Sequence, residues 1–317
     1  MFVQYKTNTT WTPADLVSDV TAILTGTSDV NSLSASCDKA NSALLANTTA
    51  AGWSLHDNIG GADYARVISA PDYTGSITKY VRIRYQAGYP LIFNISTTWN
   101  NVTHTGTDVT TYNCSMSTGS VSTTTPLLLY ILVTAEYFAI VGYQSGGWLP
   151  GRVMCLELSR TAGFTNSLNA EYQRPNYFLM PSLSNSQLDV YRCATMSRIK
   201  SNYTTGDQTN VYEMIPSTLG ASTGGSGTNY QFAPHNPGRN NDGSHPGITL
   251  MEIPLLWWNG NGSGAISYIS TIKSAMTALS YYDPVIAQLD EIVAGSTTYV
   301  NIAPSNGYGP SIFLPKV

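Results

Sequence analysis

The sequence predicts a mainly β protein (α+β): an antiparallel β-sandwich with a short helical N-terminal lead-in and a second, less regular β-rich half. Three observations carry this. Lys and Glu are scarce while Thr, Tyr, Ser and Gly are abundant, a bias toward strands over helices. The run YVRIRYQ (80–86) alternates, with Val81, Ile83 and Tyr85 on one side and Arg82, Arg84 and Gln86 on the other, as in a half-solvated antiparallel strand. The clearest helix signal is confined to the start of the chain.

There Thr12 is placed to cap, Pro13 fits the first helical position, and Asp15 completes a capping-box-like start. Leu16, Val20, Ile23 and Leu24 then share a face, and Gly26 is a natural stop. A weaker helical stretch spans 32–45, carrying Leu33, Ala40, Leu44 and Leu45. From Gly52 the pattern changes to strands: 64–70, 80–86, 91–97, two within 127–144, and 152–158. The apolar run 126–143 approaches the length of a membrane-spanning helix. Glu136 at its middle and its β-forming composition instead indicate two buried strands turning near Ala135–Glu136. The expected domains are therefore a helical lead-in (1–50), a β-sandwich (51–160) and a second β-rich domain (161–317).

In the second half, 177–180, 190–199 and 211–215 read as strands. A long loop rich in Gly, Ser, Asn and Pro follows at 217–247, and loops of that length are usually functional or interface arms. Residues 250–258 are strongly apolar. Ile266, Ile269, Ile272, Met276 and Leu279 recur at helical spacing within 263–281. Residues 289–303 read as a hairpin turning at Gly295–Ser296. Asn306–Gly307 signals another turn before a last strand at 312–315.

Composition limits the function classes. The chain has 317 residues, of which only 11% are charged, against roughly 25% in an average soluble domain. Ser, Thr and Asn fill roughly 30% of it, so the surface is mostly neutral and polar. Net charge is −4 and no basic run exists, which argues against nucleic-acid binding. High apolar content argues against disorder. The first residues, MFVQYKTNTTW, carry no conventional signal-peptide pattern, and no membrane partner is expected. Cys37, Cys114, Cys155 and Cys193 lie far apart without metal or redox spacing, and buried free thiols are expected, a single long-range disulfide being the lesser alternative. Seven Asn-x-Ser/Thr sequons, at Asn8, Asn47, Asn94, Asn101, Asn113, Asn202 and Asn261, are attributed to composition.

Tests for chemistry fail one after another. The GxSxG match at Gly220–Gly224 sits in the Gly/Ser-rich loop, without the strand–turn–helix that exposes a nucleophile. His235, Asp242 and His245 lie close together there but read as turn residues, not rigidly placed metal ligands. His56 and His104 read as isolated surface or capping residues. Glu136, Glu157 and Glu252 have apolar neighbours, and Glu157 with Glu252 is the carboxylate pair a glycan-cleaving enzyme would use. No phosphate-binding glycine motif precedes a helix. No cofactor and no catalytic residue are expected. Trp148, Trp257 and Trp258 remain as interface or sugar-stacking candidates, with Tyr230, Phe232, His235 and Arg239 as interface candidates on the long loop.

Two stretches carry a resemblance. YKTNTTWTPADLVSDVTAILTGTSDVNSLSASCDKANSALLAN (5–47) and LDEIVAGSTTYVNIAPSNGYG (289–309) resemble the opening and the closing hairpin of virion structural proteins of tailed bacteriophages. The resemblance implies a non-enzymatic tail, baseplate or neck subunit, located in the virion and partnered by its own copies and other virion proteins. A neutral, Tyr-rich surface suits such symmetric assembly. The alternatives are a receptor- or glycan-binding module of a tail fibre, meeting host-surface glycan, and a capsid decoration protein.

Overall fold

Antiparallel pairing builds nearly all of what the computed structural model describes, namely residues 2–44, 53–61, 64–71, 78–86, 89–96, 98–107, 110–112, 122–133, 137–144, 152–157, 177–180, 192–195, 212–213, 250–258, 266–278, 289–303 and 312–316. The chain divides into two units, Met1–Ser159 with Val317, and Arg160–Lys316. The first contains β1 (Phe2–Lys6), α1 (Pro13–Leu24), β2 (Ser54–Ile59), β3 (Ala65–Pro71), β4 (Thr78–Gln86) and β5 (Tyr89–Ser96). It continues with β6 (Thr98–Asn100), β7 (Thr105–Thr107), β8 (Thr110–Tyr112), β9 (Leu127–Val133), β10 (Tyr137–Gln144) and β11 (Arg152–Glu157). Among the described residues α1 is the one α-helix, and no helix is long and apolar enough to cross a membrane.

The start of α1 follows the sequence closely. Thr12 has extended backbone, and its hydroxyl accepts the Asp15 N–H at 3.1 Å. Asp15 does not reach back to the Thr12 N–H as a longer Glu would. Ser36 bridges the gap: Thr12 N–H donates to Ser36 Oγ (3.1 Å), and the Ser36 hydroxyl donates to Asp15 (2.6 Å). At the other end Gly26 has φ 104, the left-handed conformation that favours glycine. Gly26 N–H bonds Ile23 O and Thr27 N–H bonds Ala22 O, the paired bonds of a Schellman stop. Leu16, Val20, Ile23 and Leu24 are fully buried, each contributing about 1.5–3 kcal/mol. The second helix expected over 32–45 does not form. Residues 30–32 make a single 3-10 turn, and the segment is instead bonded to β1 and α1 through side chains and isolated bridges. Its Ser, Asn and Asp side chains bond local backbone and compete with a helix.

Asp19 on α1, only 2% exposed, is the centre of that bonding. It accepts from the Tyr5 hydroxyl (2.9 Å), the Ser34 N–H (2.8 Å) and the Ser34 hydroxyl (2.8 Å). Burial, reinforced by Asp19 beside it, pushes the Tyr5 phenol far above its ordinary value, so it stays a neutral donor.

The sheet β1-β9-β10-β11 is antiparallel throughout this unit. The apolar run 126–143 therefore forms strands, as its composition indicated; its turn residues 134–136 lie outside the described residues. β1 had no counterpart in the sequence reading, although Val3 and Tyr5 are buried and alternate with half-buried Gln4 and Lys6. A second sheet runs β2-β3-β4-β5-β8, and β6 and β7 form a separate two-stranded ribbon. On the second sheet Ile68, Val81, Ile83 and Phe93 share one face, and α1 lies against β3, β4 and β5. The opposite face is less solvated than the alternation of β4 implied. The ribbon covers part of it, and Ser69, Asn94 and Ser96 there are buried.

The second unit contains β12 (Tyr177–Met180), β13 (Arg192–Thr195), β14 (Tyr212–Glu213), β15 (Leu250–Trp258), β16 (Ile266–Ala278), β17 (Glu291–Ala294), β18 (Thr297–Ala303) and β19 (Ile312–Pro315). β12-β13-β14 pair in order, and a five-stranded sheet runs β15-β16-β19-β18-β17. The helical spacing read in 263–281 is overturned, because residues 266–278 are a strand paired along β15. Two register shifts resolve the conflict: Ile269 and residues 273–275 have no partner position on β15. Each extra residue resets the two-residue alternation, so apolar residues three or four apart fit a strand. The closing hairpin turns at Gly295–Ser296 as expected. Gly295 has φ 63, and a glycine with positive φ at the first position suits a two-residue hairpin loop. The last strand then inserts between β16 and β18, burying Phe313 and Leu314.

Candidate functional site

An irregularity in β2 lies beside the carboxylate that the ribbon's His104 meets. β2 pairs with β3 as Ser54↔Ser69 and Leu55↔Ile68, slips, and resumes at Asp57↔Val67. His56 is the extra residue of this bulge. In a regular strand His56 and Asp57 would point to opposite faces. The bulge removes that constraint. The His56 ring meets Tyr80 edge-on, with centroids 4.7 Å apart at 61°. Asp57 lies on the same face, through its partner Val67, and meets the ribbon.

Asp57 Oδ2 accepts the Trp99 indole N–H at 2.7 Å and lies 2.8 Å from His104 Nδ1. Its side chain is 8% exposed, that of His104 43%. Burial alone would raise the Asp57 carboxyl. The hydrogen bonds from His104, Trp99 and the Asn58 N–H outweigh it and hold the group below the ordinary carboxylate range. An ionised carboxylate only accepts, so His104 Nδ1 is the donor and carries a proton.

Local chemistry shapes the ribbon that delivers Trp99 and His104. The Asn100 side chain accepts the N–H of Val102 (2.8 Å) and of Thr103 (3.1 Å), folding the chain back. The Thr103 and Thr105 hydroxyls bond at 2.7 Å, and Asn101 donates to the His56 carbonyl at 3.2 Å. Trp99 packs on the cluster of Ile59, Ala65 and Val67, as Tyr80 does. Gly106 seats the return strand, because a Cβ there would lie 2.6 Å from Ser96 Cβ and Oγ. His104 itself has φ 53, a left-handed conformation costing a non-glycine residue about 1–3 kcal/mol, which the Asp57 bond helps to hold.

The arrangement is a half-exposed imidazole backed by a buried carboxylate. No described hydroxyl or thiol hydrogen-bonds the His104 ring. No group of three or more His, Cys, Asp or Glu among the described residues is placed to hold a metal ion.

Of the two histidines read as isolated in the sequence, His104 thus meets Asp57 while His56 packs on Tyr80, and Asp57 and Trp99 were not singled out at all. Trp99 and His104 lie 42 and 47 residues from Asp57, so no local pattern joins them. Of the interface candidates, Trp148, Tyr230, Phe232, His235 and Arg239 lie outside the described residues, as do Asp242, His245 and Gly220–Gly224. Trp257 and Trp258 end β15, opposite Ser267 and Ile266. Glu157 ends β11 opposite Tyr137, and Glu252 pairs with Met276 in the other unit. Cys37 is buried and free, and burial raises its thiol, which keeps it protonated. No family model, no curated protein and no solved structure matches the chain.

Proposed function

We propose that this chain is a non-enzymatic virion structural protein of a tailed bacteriophage, a tail, baseplate or neck subunit that assembles symmetrically with its own copies and other virion proteins. One observation supports this best: exposed apolar side chains gather at sheet edges. In the first unit Leu55 (53% exposed) lies on edge strand β2, Tyr64 on the turn leaving it, and Val102 (88%) on the ribbon tip bonded to it. In the second unit Val293 (73%) lies on edge strand β17. Edge strands with exposed apolar groups invite pairing with another chain, and a surface so poor in charge offers little repulsion.

The two sheets of the first unit are read as the layers of a β-sandwich. Phe138 on β10 supports this, its ring lying 5.7 Å from that of Phe93 on β5 and 5.3 Å from that of Trp53. Mass spectrometry of washed particles tests the role. The chain should be present at a fixed multiple of a symmetry number, and its absence refutes the reading. A second reading, a glycan-binding module of a tail fibre, rests on the adjacent Trp257 and Trp258 at the end of edge strand β15. Binding of the chain to host polysaccharide, lost on Trp257→Ala, would favour it. The third, a capsid decoration protein, differs only in where labelled copies appear on the particle.

A further inference from the structure

We infer that β17 is a self-pairing edge, at which two copies of this chain join antiparallel across a two-fold axis centred on Ile292 and merge their five-stranded sheets into one. The inference rests on the reading of exposed sheet edges as assembly surfaces and names the partner of this one. β17 pairs with β18 alone, as Glu291↔Val300, Ile292↔Tyr299, Val293↔Thr298 and Ala294↔Thr297. Bonds near its ends fix which way its backbone groups point. The Asn301 N–H donates to Asp290 O (2.9 Å) and the Asn301 carbonyl accepts the Leu289 N–H (2.7 Å), so Asn301 turns toward β17. Thr298 O accepts the Lys316 N–H (2.7 Å), so Thr298 turns toward the β19 side. Backbone groups alternate in direction along a strand, so Thr297 and Tyr299 also face β17, where they meet Ala294 and Ile292. Glu291 and Val293 therefore aim their N–H and C=O outward, and no described residue bonds those groups.

Pairing Ile292 with the copy's Ile292 sets Glu291 against the copy's Val293, each exchanging both of its backbone bonds. Val293, 73% exposed in the single chain, is then covered by the aliphatic part of Glu291. Ile292 packs against Phe313, so the isoleucine pair carries that apolar face across the axis. Glu291 brings its own counter-charge, Lys316 Nζ at 2.6 Å. An axis at Glu291 would set like charges opposite each other, and one at Val293 would set Glu291 against the turn at Gly295. Two other edges are blunted. β15, across the same sheet, contains Pro254, which has no N–H to donate, and β2 is broken by its bulge. The β17 edge is short, so one contact is weak and counts where many copies are held together.

Cross-linking of the full chain tests this. Glu291→Cys and Val293→Cys chains, both altered at exposed positions, are mixed and gently oxidised, with the wild-type chain as background for the native cysteines. Opposed Cα atoms about 5.5 Å apart are within disulfide reach, whereas like residues lie about 7–8 Å apart on the diagonal. The mixture should form the 291–293 link about ten-fold faster than either variant alone. In analytical ultracentrifugation Val293→Glu should lower the dimerisation constant about ten-fold, because the two-fold axis doubles each opposed pair of like charges. Val293→Lys, set against Glu291, should not lower it. Equal rates in the mixture and the single variants overturn the pairing. So does a wild-type chain that stays monomeric at every concentration, or a Val293→Lys chain weakened as much as Val293→Glu. Particles that contain the chain but yield no such link refute the β17 pairing alone, whereas absence of the chain from washed particles refutes the structural role.

Discussion

Two buried aspartates in the first unit are satisfied by similar means and behave differently. Asp19 accepts from Tyr5 and twice from Ser34, while Asp57 accepts from Trp99 and His104. Each has an aromatic donor brought from another element. Every donor to Asp19 is neutral and stays so, and the carboxylate is enclosed beneath α1. Asp57 sits under a ribbon rather than a helix, and one of its donors is a half-exposed imidazole. The first network is enclosed in the interior, and the second reaches the surface through its imidazole. The difference lies in one donor's chemistry and in how far it reaches the surface.

Breaking the enclosed network should have the largest effect. Asp19→Ala strands the Tyr5 hydroxyl and the Ser34 N–H in the interior, each costing about 1–3 kcal/mol. The urea midpoint of the first unit, followed by Trp fluorescence, should fall by the equivalent of about 3 kcal/mol. Gly106→Ala comes next, forcing a methyl group to within 2.6 Å of Ser96. Overpacking of that kind costs about 1–3 kcal/mol, and increased amide hydrogen exchange should be confined to the ribbon and its underlying strands.

Asp57→Asn is smaller, about 1.5 kcal/mol at neutral pH, because the amide oxygen can still accept from Trp99. Its pH signature separates the two sites. The folded-state pKa of Asp57 is depressed, so its contribution is present above the ordinary carboxylate value and lost as pH falls below it. A thermal-midpoint series from pH 6 to 3 should lose part of its acid slope in the variant. Ser36→Ala should be the mildest, about 1 kcal/mol by the same urea assay, since it removes only the relay between Thr12 and Asp15.

Much of the local structure was legible because it depends on neighbours in sequence. The cap at Thr12, the stop at Gly26, the alternation of β4, the turn at Gly295 and the last strand 312–315 all rest on a few adjacent residues. The failures share a different cause. The spacing of isoleucines in 266–278 matched a helix, but pairing with apolar β15 and two register shifts made a strand of it. The segment 32–45 had apolar residues at helical intervals, yet its polar side chains found partners on β1 and α1 instead. For the candidate site, nothing near His104 or Trp99 in sequence hints that both meet Asp57, 47 and 42 residues away.

The sequence by itself determined the mainly β character, the helix α1 with its cap and stop residues, and a surface poor in charge, because these depend on composition and short-range geometry. Tertiary structure alone decided that β1 pairs with β9, that Ser36 completes the cap of α1, that a one-residue bulge interrupts β2 at His56, and that the β6–β7 ribbon brings Trp99 and His104 to Asp57. The reason is physical. A bulge is defined by its partner strand, and a buried carboxylate takes its donors from whatever elements pack around it. Both are properties of contacts between distant segments, and no local pattern encodes them.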